Sequence, residues 1–373
     1  MLLLAVLLWI APADTAASVR WTHDALAFWA SADDDQRQAA VDAARGDSTG
    51  LRALRPLPPA GRLWTLLALA QADAAPHGPA AVAGASAAVL DSLLPTDALR
   101  QRVAARLADA TAALPDTAGL ALGRHLALRR LRAHPANDPT WRGLRPTGPH
   151  VWAPSPGTEP EGAAVPGFRP LVLRRADQFR PPPPPLPGSD AFASALAEVR
   201  EAAQTRTAAQ RRAARFWALR HSATEWTRRA ADLLARENTP DPEAARTLAH
   251  LHASLYDATI ACWEAKYHYW LLRPEHADST ITRPFGVALP NFPAYPSGHA
   301  CTAGAAETIL TAALPGAADE IRAAAWEMAE SRLWGGVHYR FDNDAGLALG
   351  RAVARTVADH PDRLAVPLGE ADE

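Results

Sequence analysis

Apolar residues recur every three or four positions, with alanine filling many of the places between, through most of this 373-residue chain. That period lays an apolar stripe along one face of an α-helix and does not fit a strand, whose faces alternate every two residues. Ile, Phe and Tyr are scarce beside Ala and Leu, which favours helices again. The first helix opens on Trp21, Leu26, Phe28 and Trp29. Arg62 to Ala72, Ala80 to Leu94, Asp97 to Leu114 and Gly119 to Ala133 follow, punctuated by Pro58, Pro59, Pro76, Pro79 and Pro115. No cluster in this half reads as chemistry, so it reads as scaffold. Helices return at Ala191 to Gln204, Thr207 to Ala218 and Thr224 to Glu237. A longer one runs from Pro242 to about Leu272, with Asp241 as N-cap, proline in its first turn and Pro274 closing it. The expected fold is an all-α helical bundle in one globular unit.

Residues 134 to 190 break the pattern. Proline and glycine are dense there and culminate in Pro181 to Pro185, which neither helix nor sheet tolerates. A flexible linker is one reading. Trp141, Trp152, Phe168 and Phe179 favour the other, an ordered extended segment packed across the helices and ending in a polyproline stretch. The chain therefore divides at sequence level into residues 18–135, a wrapping segment 136–190, and a helical region 191–373. Leu2 to Ile10 is an apolar run too short to span a bilayer, and a small-residue stretch follows it. It reads as a signal peptide, residues 1–17, with export to the periplasm or beyond, although the usual basic start is missing and an anchor or an ordinary first helix stays open.

A formal net charge of -2 excludes recruitment of nucleic acid or an anionic membrane by bulk charge, so any anion site must be local. No stretch is long and apolar enough for a transmembrane body. Cys262 and Cys301 fit no metal or redox spacing and read as buried thiols, with one disulfide open to an exported protein.

Three short segments within about eighty residues carry the chemistry. Lys266 and Arg273 are seven apart, almost two helical turns, so one helix would project both from nearly the same face, among Trp263, Tyr267, Trp270 and Leu271. Two stacked cations repel unless an anion lies between them; a solvated basic face is the plainer reading. Pro293 to Ala300 reads as a proline-stiffened loop entering a helix at Ser297-Gly298. There free N–H groups, a hydroxyl and a close backbone approach could hold an oxyanion, with His299 beside it. Alone, such a turn is more often a simple cap. In the third segment Arg332 precedes Gly335-Gly336, which breaks the helix, so that His338 starts a new one. Asp342 lies four residues on, where its carboxylate can fix the tautomer of the imidazole. Arg332 adds a planar fork for two oxygens.

The ordered set K-x6-R-P, P-S-G-H and S-R-x5-H-x3-D resembles the type 2 phosphatidic acid phosphatase and vanadium haloperoxidase superfamily. It matches at Lys266/Arg273, Ser297/Gly298/His299 and Arg332/His338/Asp342. The helix around Leu251 to Ala258 and the Phe179-Arg-Pro-Pro-Pro segment are similar to its soluble bacterial haloperoxidase-like branch. As a vanadium-dependent haloperoxidase (a peroxidase), the chain would hold vanadate as cofactor. The resemblance implies that His338 ligates vanadium, that Lys266, Arg273, Arg332, Ser297 and Gly298 bind its oxygens, and that His299 is the acid–base group. Hydrogen peroxide and a halide would be the substrates. Trp263 and Phe292 fall where halide-site aromatics lie in similar chloroperoxidases, or are core aromatics. The alternative is a soluble acid phosphatase acting on a phosphomonoester, with His338 as nucleophile, Asp342 stabilising the imidazolium, and His299 protonating the leaving alcohol. Five-coordinate vanadate mimics the phosphoryl-transfer transition state, so the motifs do not separate the two. A non-catalytic phosphate or vanadate binder is the third reading. A homodimer through the N-terminal helices is possible. His250 and His252 read as structural, Glu264 as paired with a basic residue, His268 as packed or exposed beside the cations, and Asp257 as a carboxylate orienting an arginine of the site.

Overall fold

Several helix starts are set by short polar caps. Thr96 accepts from the Leu99 amide, Asp116 from Gly119, Ser189 from Phe192 and Thr207 from Gln210. The computed structural model describes residues 15–44, 60–94, 96–138, 140, 146–148 and 150–365. Its α-helices are α1 (Ala17–Ala44), α2 (Ala60–Ala74), α3 (Pro79–Leu93), α4 (Asp97–Ala113), α5 (Thr117–Ala133), α6 (Asp190–Thr205), α7 (Ala208–Ala218), α8 (Ser222–Arg236), α9 (Asp241–Tyr269), α10 (Pro274–Ala277), α11 (Gly298–Ala313), α12 (Ala318–Trp334) and α13 (Arg340–Asp359). Among the described residues there is no strand, only an isolated bridge between Val151 and Leu271. The fold class is all-α, as the period required. Pro58, Pro59, Trp141 and residues 1–14 of the expected signal segment lie outside the described residues; Ala17, where cleavage was expected, opens α1.

The chain gathers into two compact units rather than one. The first contains Met1–Pro135, Ala223–His252 and Val366–Glu373, the second Ala136–Ser222 and Ala253–Ala365. Residues 223–252 thus belong with the N-terminal helices. The division falls within α9, which is buried at Ala244, Leu248 and Leu251 in its first half and at Ala258, Ala261, Cys262 and Ala265 in its second.

In the first unit α3 is buried almost throughout, from Ala80 to Leu90. It can be so because α5 approaches it backbone to backbone: a Cβ on Gly123 would lie 1.9 Å from the Ala81 carbonyl oxygen, and one on Gly84 2.2 Å from that of Leu120. The Asp241 carboxylate does not cap its own helix. It accepts from the Ala17 and Ser18 amides at 3.1 and 2.9 Å and so caps α1. Tertiary donors outcompeted the local ones.

In the second unit the proline-rich segment is an ordered strap. The Trp152 amide donates to the Trp270 carbonyl at 2.8 Å, and the Tyr269 and Tyr295 hydroxyls donate to the Pro181 and Pro182 carbonyls, each at 2.7 Å. Arg180 pairs with Glu264. Asp257, expected to orient an arginine of the site, instead accepts from the amides of Leu171, Val172 and Leu173 at 2.7–2.9 Å, pinning the strap. A strap without a ladder leaves its amides unpaired, and a buried carboxylate satisfies three at once.

Candidate functional site

Every residue of the three motifs lies in the second unit, and the tertiary structure brings them together. Their approach differs from the one-helix reading. Helix α9 ends at Tyr269, because Trp270 turns to a left-handed φ of 51° and its amide still bonds to the Lys266 carbonyl. Arg273 therefore stands beyond the helix, as N-cap of α10, and Pro274 starts that short helix instead of closing the long one.

Lys266 is 0 % exposed, and its Nζ donates to the carbonyls of Pro293 (2.9 Å), Ala294 (2.8 Å) and Pro296 (2.5 Å). Arg273, also 0 % exposed, donates through Nε and Nη2 to the Phe292 carbonyl at 3.0 and 2.8 Å, and through Nη1 to the Val337 carbonyl at 2.8 Å. Both cations thus pin the loop that precedes α11. The Phe292 ring covers them, its centroid 5.1 Å from Lys266 Nζ and 4.9 Å from the Arg273 guanidinium, and it packs on Trp263 at 5.2 Å.

That loop delivers Ser297 to the N-cap of α11, where its hydroxyl accepts from the Ala300 amide. Its own amide donates to the Asp342 carbonyl at 2.9 Å, which ties α11 to the third motif. Gly298 has a packing role besides the expected one: a Cβ there would meet the Trp263 ring at 3.1 Å. His299 Nε2 lies 3.0 Å from the Trp217 carbonyl, so Nε2 carries the proton and Nδ1 is the free lone pair. Sequence reasoning missed Trp217, because no residue pattern marks a backbone carbonyl that holds a histidine eighty-two residues away.

His338 does not start a helix. It sits in the turn after α12, two residues before α13, whose N-cap is Tyr339. The reach to Asp342 nevertheless holds: Nδ1 lies 2.8 Å from Asp342 Oδ2, which also accepts the Tyr339 amide at 3.1 Å. The carboxylate fixes the proton on Nδ1 and leaves Nε2 as an acceptor, 3.0 Å from Arg273 Nη1.

Arg332 is different from the other cations. It is 2 % exposed, and its Nε and Nη1 have no hydrogen-bond partner among the described residues. A guanidinium buried with two unsatisfied donors is costly unless a ligand supplies acceptors. Three buried cations here face one carboxylate, Asp342. Burial lowers Lys266 to about 8, Arg273 to about 9 and Arg332 to about 10, while burial pushes Asp342 up to about 7. Burial, reinforced by the cations, drives both His338 and His299 well below the ordinary imidazole value, so both are neutral near pH 7. Such a donor set suits an oxyanion with one imidazole behind it. Among the described residues no group of three or more His, Cys, Asp or Glu side chains could hold a metal cation.

Of the remaining candidates Cys262 stands beside the cage, its Sγ 3.8 Å from the Pro296 carbonyl to which Lys266 also donates. His252 is buried in the first unit with its value lowered by burial to about 3. His268 is exposed against the Tyr269 ring. Cys262 and Cys301 are both free and buried.

Residues 248–363 match the family model of the PAP2 superfamily. No curated protein matches the chain significantly. Among solved structures, the first bacterial vanadium-dependent iodoperoxidase is similar with a TM-score of 0.68 and 21% identity, over 80% of this chain and 90% of that one. An apo-type bacterial vanadium-dependent chloroperoxidase is similar with a TM-score of 0.63 and 16% identity, over 82% and 94%. Its holo-type counterpart gives 0.59 and 15%, over 82% and 91%. At these identities the likeness is one of fold.

Proposed function

From the premise that residues 248–363 belong to the PAP2 superfamily, we propose that this chain is a vanadate-dependent haloperoxidase, oxidising halide with hydrogen peroxide. The observation that carries an oxyanion in the site is Arg332, a buried guanidinium with two donors left for a ligand's oxygens. Vanadate, when bound, supplies a Lewis-acidic centre that activates peroxide toward halide.

The protein's own groups divide the work. His338 presents a neutral Nε2 toward the central atom, with Asp342 holding the other ring nitrogen. Arg273, whose Nη1 lies 3.0 Å from His338 Nε2, would then pair with an oxygen of the anion. Arg332 provides the fork that needs no partner exchanged. Lys266, with its hydrogens on three carbonyls, acts first by charge and by shaping the loop. The Gly298 amide, at the first position of α11, adds a donor at a helix N-terminus. His299, neutral and anchored through Nε2 on the Trp217 carbonyl, accepts and returns a proton at Nδ1. The Trp263–Phe292 wall over Lys266 supports a halide beside the cage, because aromatic edges and a nearby ammonium suit a large, weakly hydrated anion.

The same residues could run phosphomonoester hydrolysis, with His338 Nε2 as nucleophile and His299 as acid. The deciding experiment measures bromide and iodide oxidation by peroxide with and without orthovanadate, and p-nitrophenyl phosphate hydrolysis beside it. Halide oxidation that requires orthovanadate is the expected result. Hydrolysis that orthovanadate only inhibits replaces the proposal by a phosphatase. With anion binding retained and neither activity present, the protein is a binder.

A further inference from the structure

The face of α7 turned away from the site has no part in the chemistry above, and it is basic. Between Glu201 and Glu225 the sequence has Arg206, Arg211, Arg212, Arg215, Arg220 and His221 and no acidic residue, in a protein of net charge -2. Ala214 and Trp217 are the buried side of α7, and Trp217 is the residue whose carbonyl holds His299. Its exposed side carries Arg211, Arg212 and Arg215 with Phe216 half-buried beside them, and Leu219 and Arg220 stand exposed just past the helix end. Arg206 is not part of this face: it is buried and donates to the Thr282 carbonyl.

Large apolar side chains stand among these arginines. Leu219 is 58% exposed, Phe285 88% and Trp326 58%. They form one neighbourhood: the Arg215 guanidinium lies 5.7 Å from the Phe285 ring centroid, and Arg220 covers Phe216 at 4.0 Å. Trp326 packs on Trp334 at 5.7 Å, and Trp334 packs with Ala218 against the Ala214–Val287–Val337 cluster. The Glu327 carboxylate on α12 accepts from Trp217 Nε1 at 3.0 Å.

We propose that this face docks on an anionic phospholipid membrane. Arginines alone would serve any polyanion. Solvent-exposed Phe, Leu and Trp set between them gain nothing from a phosphate backbone but partition into the headgroup boundary, where the arginines meet lipid phosphates. Bulk charge does not recruit the protein; this local patch does. The surface is separate from the anion cage and holds whichever chemistry the cage performs.

Co-sedimentation of the full chain with phosphatidylcholine vesicles, with and without phosphatidylglycerol, tests it. Binding only to the anionic vesicles, weakening as salt rises, is expected. An arginine near such a surface contributes about fivefold, so Arg211→Gln/Arg215→Gln lowers partitioning by roughly 25-fold. Leu219→Ser/Phe285→Ser also lowers it, and the tryptophan emission change on binding is diminished in Trp326→Phe. Equal binding to neutral vesicles, or no binding to either by the unaltered protein, overturns the proposal. So does a DNA oligonucleotide bound as tightly as the anionic vesicles, with Leu219→Ser/Phe285→Ser changing neither.

Discussion

Two arginines are almost equally hidden in this protein, and they teach opposite lessons. Arg130 in the first unit is 3% exposed and grips the Asp73 carboxylate with Nε and Nη2, at 2.5 and 2.6 Å. Arg332 in the second is 2% exposed, with Nε and Nη1 unpartnered. A buried charge that finds its counter-charge within the chain is architecture. One that does not is where the proposed function seats a ligand's charge.

The comparison can be broken most severely at His338. His338→Ala is expected to lower turnover by roughly a thousandfold or more, since groups acting as a unit fail together; steady-state assay of the vanadate-loaded protein reads it, and near-full activity would reject the site. Next come the two arginines themselves. Arg130→Ala should destabilise the fold by about 2–3 kcal/mol, reduced from a fully buried pair because Asp73 is partly exposed, and leave anion affinity unchanged. Arg332→Ala should do the reverse: little loss or a gain in stability of the anion-free protein, and about 30- to 150-fold weaker orthovanadate binding, a charge-assisted pair being worth about 2–3 kcal/mol. Denaturant unfolding and calorimetric titration of both variants would show whether the contrast is real.

A smaller effect sharpens it. Orthovanadate at about 100 times its Kd should stabilise the wild type by about 2.7 kcal/mol, seen as a rise in Tm, and should not do so in Arg332→Ala. The pH dependence is gentler still. The anion binds the protonated Lys266, which burial lowers to about 8, so affinity is full below that value and falls up to about tenfold per pH unit above it. Affinity that instead rose between pH 8 and 9 would remove Lys266 from the charge balance.

Much of the fold was written in local chemistry. The period placed α3 from Ala80 where it runs from Pro79, and Ser297-Gly298 opened α11 as a cap should. The His338–Asp342 contact followed from four-residue spacing even though the two do not share a helix from the start, because a turn and a first helical turn cover similar distances. The same logic failed for Lys266 and Arg273. Trp270 breaks α9 between them with a positive φ, a conformation no propensity rule assigns to tryptophan, and the strap pairs with the freed backbone. It failed for Asp241, which caps α1 instead of its own helix, and for Asp257, expected to orient an arginine and found holding the amides of the strap.

By itself, then, the sequence determined an all-α chain, the residue types of the cage and the order in which they come, since helical period, caps and breakers act over a few residues. Only the tertiary structure decided which cations are spent. Lys266 and Arg273 are held by carbonyls of a loop up to thirty residues on, while Arg332 keeps Nε and Nη1 unpartnered among the described residues. Whether a buried charge is satisfied depends on every acceptor within about 3 Å, and that list does not exist until the chain has folded.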